Sequence, residues 1–371
     1  MGDVYLSIRG RVLLNVEALN MTESVGNYVK HRRVPVMIPG NGGYTVYFVP
    51  AISGESIAHG YQVILAEEAD KKGLPVCNLC KNGIFLKSTN LPTFISQFRN
   101  RISNMKFNSE FDLEKFIIAN CIVEDLGGFL HASEKKPKED EFEMKDNDIN
   151  LLKAVGLLDR AGKPIFKNLK RTSCFFTGYM IPTKEAVEST VIEAQMHSRY
   201  ALGTPFVRKE EARGQMIYYV ELSSSVYTFS FDFESKYVGK TTFTYGKVGE
   251  LAVKDENERK ERIIVALDSL KKFLIELGFG AKKTRFLPVS DWESIIVAVS
   301  DDIWTVPHSL IKSYGKNATE KLKKVDYNTK LFVYGVNTEK IEGKIEVCDT
   351  FEDAVTKAIE GAKKRVETEE K

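Results

Sequence analysis

Residues 191–202 read VIEAQMHSRYAL, and polar and apolar side chains alternate along this run. Side chains of a β-strand point alternately to the two faces of a sheet, so the pattern predicts a strand with one apolar and one polar face. The polar face carries Gln195, His197 and Arg199, next to Glu193. Because amide, imidazole and guanidinium groups suit phosphates and bases, we interpret this row as a nucleic-acid-binding surface.

A second alternating run, residues 4–16, predicts another strand of the same sheet. Its Val, Leu and Ile side chains share one face, and Arg9, Arg11 and Asn15 share the other, where we expect them to point outward. The remaining segments predict an α+β fold with a mostly antiparallel sheet. Strands are predicted around residues 116–123, 172–181, 294–299 and 329–336, with a strand pair inside 216–233, and helices after Ser53, over 256–277 and from about 351.

The composition is that of a globular chain without membrane spans. Of 371 residues 43% are hydrophobic, and no apolar run reaches the roughly 18 residues of a transmembrane helix. Lys and Arg number 53 against 51 Asp and Glu, so a nucleic-acid surface requires the basic residues to be segregated. The five cysteines show no disulfide framework, and the N-terminus has no apolar signal segment. We therefore expect a cytoplasmic protein with no membrane partner.

The segment GFGAKKTR, residues 278–285, follows the helix predicted at 256–277. Glycines allow a backbone to approach a ligand closely, and Gly280 is followed by Lys282, Lys283 and Arg285, which suit phosphates. A glycine that ends a helix before ordinary surface lysines is the alternative interpretation.

Two other places in the chain suit an anion. The sequence SGES begins a helix, where free amides and the dipole favour negative charge, although simple N-capping explains it equally well. Two adjacent basic residues lie at the start of a predicted strand and would extend a basic surface. The residues concerned are Ser53, Gly54, Ser56 and His59 at the helix, and Lys170 and Arg171 at the strand.

Neither a metal site nor a catalytic site is defined by spacing alone. Cys77 and Cys80 form a CNLC pair, which is half of a zinc knuckle unless the fold brings in His59, Cys121 or His131. Free buried thiols are the alternative. A nuclease would need a positioned histidine or clustered carboxylates, and the five histidines are scattered. We expect no required cofactor, with structural zinc at Cys77 and Cys80 as the open alternative.

Several motifs in order resemble one family. These are RGRVLLNVEALN, VPAISGESIAHGY, ANCIVEDLGGFL, LKRTSCFFTGYMIP, EAQMHSRYALG, GQMIYYVELSSSVYTFSFDF and GFGAKKTRFLP, which cover about residues 4–299. Together they resemble the backbone subunit of archaeal type I-A Cascade, the Cas-seven or DevR family of the RAMP superfamily, which is CRISPR-associated.

The resemblance implies a hand-shaped molecule. An RRM-like, ferredoxin-type antiparallel sheet forms the palm, a fingers region is inserted into it, and a thumb hairpin projects from it. Apart from the resemblance, the many charged residues of 134–148 predict an acidic loop there, with disorder left open. In this chain we expect the palm at residues 1–19, 44–70 and 109–371, the fingers at 20–43 and 71–108, and the thumb at 202–217 within the palm.

The resemblance also implies a function. Copies of such a subunit form a helical filament along CRISPR RNA and present it to target DNA, together with other Cascade subunits. Phe206 or Met216, at the thumb, would wedge a kinked base. Nucleases of the superfamily carry an aspartate after the first strand; here Glu23 is the only acid in that loop, so we expect no catalysis. The alternatives are a RAMP-superfamily endoribonuclease and a stand-alone RRM-like RNA-binding protein.

Overall fold

The computed structural model describes residues 2–18, 21–40, 42–133, 144–200, 215–280 and 283–367. Within these ranges the chain is an α+β protein organised around one large sheet. The strands are β1 (Tyr5–Glu17), β2 (Met21–Val25), β3 (Tyr28–His31), β4 (Arg33–Gly40), β5 (Gly43–Pro50), β6 (Phe129–Ala132), β7 (Asn168–Arg171), β8 (Phe175–Thr177), β9 (Val191–Tyr200), β10 (Gln215–Glu234), β11 (Val289–Ser300), β12 (Lys330–Tyr334) and β13 (Ile345–Val347).

Helices connect these strands and cover both faces of the sheet. They are α1 (Gly54–Lys71), α2 (Asn78–Lys81), α3 (Leu91–Ile102), α4 (Glu110–Asn120), α5 (Ile122–Gly127), α6 (Asp146–Val155), α7 (Glu256–Ile275), α8 (Tyr314–Lys324) and α9 (Phe351–Glu367). No helix among the described residues is long and apolar enough to cross a membrane.

The large sheet has nine strands in the order β13-β12-β11-β1-β10-β3-β2, and β8 and β9 also pair with β10. Its centre, β11-β1-β10-β9, is antiparallel throughout. Along the chain these elements follow in the order β1, α1, β9, β10, α7 and β11. In sequence, α1 therefore lies between β1 and β9, and α7 lies between β10 and β11. The β4-β5 and β6-β7 pairs form separate two-stranded sheets.

One face of the sheet packs against α1 and α7. Ile8 of β1 lies between Phe231 of β10 and Val297 of β11, and all three are buried. Tyr61 of α1 meets Phe231 edge-on at 5.1 Å between ring centres, and its hydroxyl donates to a carbonyl of α7. Each fully buried side chain of this size contributes about 1.5–3 kcal/mol, so this aromatic layer holds both helices to the sheet.

The opposite face, where Arg9 and Arg11 were expected to point outward, is covered. Val306 N donates to Ser7 Oγ at 2.9 Å, and Ser309 Oγ donates to the Gly10 carbonyl at 2.6 Å. Trp304 and α8 then pack on β11 and β12 from the same side. The alternation therefore predicted the face correctly, but that face is an interior surface.

Arg9 and Arg11 form ion pairs beneath this cover. Arg9 makes a two-pronged contact with the Asp232 carboxylate, at 2.7 and 2.9 Å. Arg11 is 2% exposed and bonds Glu185 at 2.8 Å and Glu293 at 2.7 Å. A phosphate would have to displace carboxylates that already neutralise these guanidinium groups, so the expected outward placement is wrong for both residues.

Some predicted strands are helices, and others differ in length. Residues 116–123 lie in α4 and α5, because a capping box of Ser109 and Asp112 starts a helix before the apolar run. The expected strand pair in 216–233 is the single strand β10, and the strand expected over 172–181 is only β8. Residues 202–214 of the predicted thumb and residues 134–143 of the acidic loop lie outside the described residues; α6 begins inside that loop.

Candidate nucleic-acid interface

The part of the β9-β10 hairpin next to the predicted thumb carries a cluster of three rings and one guanidinium group, which we call the hairpin root: His197, Tyr218, Arg285 and Phe286. His197 and Tyr218 are cross-strand partners and stack at 5.2 Å between ring centres, with 20° between their planes. Phe286 meets His197 edge-on at 5.4 Å. Stacked rings at a strand edge can receive a base or a ribose face.

Arg285 adds positive charge to the hairpin root. Its Nη1 donates to the Tyr218 hydroxyl at 3.4 Å, and the side chain is exposed. Gln195 lies two residues before His197 on the same row and is also exposed. The structure therefore brings together the polar row of β9 and the end of the glycine-lysine segment, as a surface for stacking and phosphate contact.

The β9 strand itself is less asymmetric than its alternation predicted. Met196, expected on an apolar buried face, is 62% exposed, and Ser198 is exposed as well. The reason is that this part of β9 pairs with the outer half of β10, residues 215–224, beyond the helix-covered centre of the sheet. Both faces of the hairpin are therefore accessible near its root.

The glycine segment contacts α1. A Cβ at Gly60 would lie 2.1 Å from the Gly278 carbonyl oxygen, so neither helix nor loop could keep its place with a larger residue at position 60. Gly280 has φ +99, a conformation that favours glycine. Lys283 Nζ donates to the Leu277 carbonyl, which folds that side chain back over the end of α7. The Gly60–Gly278 contact places the start of the glycine segment against the second turn of α1.

A groove of about 400 Å³ lies at the start of α1. Ser53 caps the helix by accepting from Ser56 N at 3.3 Å, and Gly54 is pressed against β8, where its Cβ would lie 2.7 Å from the Thr177 carbonyl oxygen. These two residues therefore have structural roles. Lys87 lines the groove, donates to the Gly127 carbonyl at 2.8 Å, and has its pKa lowered by burial.

The other predicted residues near the helix start are more open. Ser56 is half-buried and His59 is exposed, with its ring edge-on to Phe85 at 5.1 Å between ring centres. Asn15 is half-buried at the end of β1, opposite Val289 of β11. Whether any of them contacts RNA stays a prediction.

Lys170 and Arg171 occupy different environments although they are adjacent. Lys170 is exposed on β7. Arg171 is buried and bonds the Asp125 carboxylate at 2.5 Å, and Arg262 bonds the same carboxylate at 2.9 Å. Asp125 also accepts from Gly239 N at 3.0 Å. The prediction that Arg171 extends a basic surface is wrong, because this buried network already uses its guanidinium group.

Four predicted site residues cannot be placed in the interface. Phe206 and Lys282 lie outside the described residues, and only the backbone is described for Arg199 and Met216, which are paired with each other in the hairpin. Their roles stay predictions.

The predicted cysteine pair lies in a larger buried cluster. One ligand atom from each of Cys77, Cys80, Cys121 and Glu124 lies within 4.8 Å of all the others. His131, weighed as a partner, instead has Nδ1 2.7 Å from the Ser88 carbonyl oxygen, and His59 packs on Phe85.

Sequence reasoning did not select Tyr218, Phe286 or Lys87. Tyr218 follows from the hairpin register, since residues 200 and 215 pair and 197 then faces 218. Phe286 directly follows Arg285, which the sequence predicts as a phosphate contact, and this adjacency was the signal that could have identified Phe286. Lys87 has no motif around it; its place depends on a positive φ of 52° and on the carbonyl of Gly127.

Comparison with known proteins gives consistent matches. A family model described as CRISPR-associated negative auto-regulator DevR/Csa2 matches residues 8–319. CRISPR-associated protein Cas7/Csa2 1 of Saccharolobus solfataricus is 32% identical over 307 residues, covering 83% of this chain and 82% of that protein. CRISPR-associated aCascade subunit Cas7/Csa2 2 of the same organism is 31% identical over 360 residues, covering 94% and 98%. A solved CRISPR RNA-guided surveillance complex has a chain with TM-score 0.46 and 8% identity, covering 96% of this chain and 99% of that one.

Proposed function

The chain belongs to the CRISPR-associated DevR/Csa2 family, and on that premise we propose that it is the CRISPR RNA-binding backbone subunit of a Cascade complex, with no catalytic activity of its own. A relative that covers nearly the same length carries the name aCascade subunit, which supports this assignment. The proposed partners are CRISPR RNA, target DNA, other copies of this chain and other Cascade subunits.

The observation that carries the proposal is the hairpin root. A guide RNA varies in sequence, so a protein that holds any guide must contact phosphate, ribose and base faces and leave base edges free to pair. His197, Tyr218 and Phe286 present rings, and Arg285 presents an exposed cation beside them. This combination suits single-stranded RNA of any sequence.

We further propose that the centre of the sheet is an RRM-like palm. The order β11-β1-β10-β9, all antiparallel, with α1 and α7 as connections, supports this. The face that such sheets often use for RNA is covered here by residues 301–313 and α8. RNA would therefore run past the ends of the strands, at the hairpin root, and not across the sheet.

Absence of catalysis is part of the proposal. His197, weighed as a base, has rings as neighbours on two sides, and its buried Nε2 has no hydrogen-bond partner among the described residues. A general base works through an oriented proton acceptor and a partner that fixes its tautomer, and this environment favours stacking instead.

The proposal is tested by binding of labelled single-stranded RNA, measured over a series of salt concentrations. Arg285→Ala is expected to lower the salt slope by about 0.7 for each bound copy, because one phosphate contact is lost. His197→Ala is expected to weaken binding by about 1–3 kcal/mol with little change in slope, because a stacking surface is lost. Lys324→Ala removes an exposed cation of α8 that is not part of the hairpin root, and serves as the control.

Two further readings separate the alternatives. Longer RNAs are expected to give stepwise larger complexes on gel filtration, whereas a stand-alone binder would stop at one chain per site. RNA cleavage with divalent metal that disappears in His197→Ala would refute the non-catalytic proposal. Unchanged affinity and slope in both hairpin-root variants would refute the interface.

A further inference from the structure

We propose that the chain binds one zinc ion through Cys77, Cys80, Cys121 and Glu124. One donor atom from each residue lies within 4.8 Å of the other three, and all four side chains are buried. A tetrahedral site with Zn–S bonds near 2.3 Å needs donor atoms about 3.8 Å apart, so small rotations close the observed set around an ion. This proposal is independent of the RNA-binding role.

The sequence spacing fits the same geometry. The cluster is two pairs with the same offset, Cys77 with Cys80 and Cys121 with Glu124, each separated by two residues. Ile122 N donates to the Pro75 carbonyl at 2.9 Å, so the two segments that supply the pairs lie side by side. Thiolates and a carboxylate are normal zinc donors, and closed four-ligand sites buried from water are structural.

Glu124 gives an independent sign that something is bound at this place. Its carboxylate is fully buried, and Oε2 has no hydrogen-bond partner among the described residues. Leaving a buried carboxylate oxygen unpaired costs free energy, and a cation would remove that cost. The other oxygen accepts from Gln97 Nε2 at 2.5 Å, and Gln97 in turn accepts from the Ser88 hydroxyl at 2.8 Å. Such a chain of hydrogen bonds orients a ligand for its metal.

The local charge is also suited to a bound cation with anionic ligands. Three thiolates and a carboxylate around Zn²⁺ leave two negative charges. Lys87, whose side chain is half-buried, interacts electrostatically with Glu124, Cys80 and Cys121 and offsets part of this charge. Because Lys87 also lines the groove at the start of α1, the ion would hold the 77–88 segment beside that groove.

The test uses the full-length protein, purified without a chelating resin from cells grown with zinc. Metal analysis after dialysis is expected to give about one zinc per chain. Replacing it with Co²⁺ is expected to give a thiolate-to-cobalt charge-transfer band and the visible bands of a tetrahedral site. Both readings use the unaltered chain, so they stand even if a cysteine variant fails to fold.

Substitutions of the cluster residues test which side chains bind the ion. Cys121→Ser and Glu124→Gln are expected to lose zinc or hold it at least tenfold more weakly. Cys174→Ser is the matched control, because Cys174 is equally buried and lies outside the cluster. Zinc below one tenth per chain with no cobalt band, an iron content in place of zinc, or equal zinc in Cys121→Ser and Cys174→Ser would each overturn the proposal.

Discussion

Replacing Arg171 with alanine is expected to destabilise the fold by about 3–5 kcal/mol, the cost of breaking a buried ion pair. The same change at Lys170 is expected to alter the free energy of unfolding by less than about 0.5 kcal/mol, because that side chain is exposed. These neighbours carry the same charge, so the pair separates a role in the fold from a role in RNA binding.

The magnitude follows from the contacts of Arg171. Its guanidinium donates to the Asp125 carboxylate at 2.5 Å and to the carbonyls of Asp125, Lys240 and Tyr237 at 2.7, 2.6 and 2.7 Å. The Asp125 carboxylate is fully buried. After the substitution it would still bond Arg262 and Gly239 N, so part of its negative charge would remain neutralised. Arg171→Lys cannot reproduce the fork of donors and is expected to lose about half as much.

The assay is chemical denaturation, followed by circular dichroism, with RNA affinity measured where each variant is folded. The slope of free energy against denaturant is expected to stay constant, since the surface exposed on unfolding does not change. If Arg171→Ala kept its stability within about 0.5 kcal/mol but lowered RNA affinity and the salt slope, the assignment of Arg171 to the buried network would be refuted.

Two further outcomes are expected. Burial lowers the pKa of His31 to about 4, so on acidification the unfolded chain binds a proton near pH 6.5 before the folded chain does. Stability is therefore full above pH 6.5 and is expected to fall by about 3 kcal/mol towards pH 4. His31→Leu should flatten this loss in denaturation at several pH values and His308→Leu, at an exposed site, should not; parallel pH profiles would contradict the reasoning. Gly60→Ala is expected to cost about 1–3 kcal/mol, because its Cβ would meet the Gly278 carbonyl oxygen at 2.1 Å. Gly361→Ala in α9, where the nearest atom lies at 3.4 Å, is expected to be neutral or to stabilise by up to about 1 kcal/mol, and equal thermal shifts in the two variants would show that the contact is unimportant.

Periodicity predicted the elements whose apolar residues recur with a clear period. β1, β9, α7 and α9 lie close to their predicted positions, because apolar spacing in each matches the period of the element. The run FIIANCIV, residues 116–123, is apolar without a clear period, and its helical state is set by the capping box upstream and by burial of its apolar side chains on both sides. Such short apolar runs are ambiguous from sequence.

The candidate site was predicted in part, and the errors have a common cause. Alternation tells which side of the sheet Arg9 and Arg11 occupy, but whether that side meets solvent depends on residues 301–313, almost three hundred positions later. Arg171 was misread for the same reason, since Asp125 and Arg262 reach it only in the folded chain. His197 lies beside Tyr218 because the two are neighbouring cross-strand residues, and its role in RNA binding stays a prediction.

The continuity of β10 has a mechanical consequence. Its inner half is fixed between β1 and β8, and its outer half forms one arm of the hairpin, with β3 paired to Tyr219 and Val220 on the side opposite β9. Ten outer residues at about 3.3 Å each extend roughly 33 Å from that fixed end. A change of only about 5° in the angle between β10 and β1, well within the range that sheets show, would displace the far end by about 3 Å. The direction of the hairpin therefore depends on the aromatic packing around Phe229 and Phe231 in the core, together with the pairing of its outer half to β3.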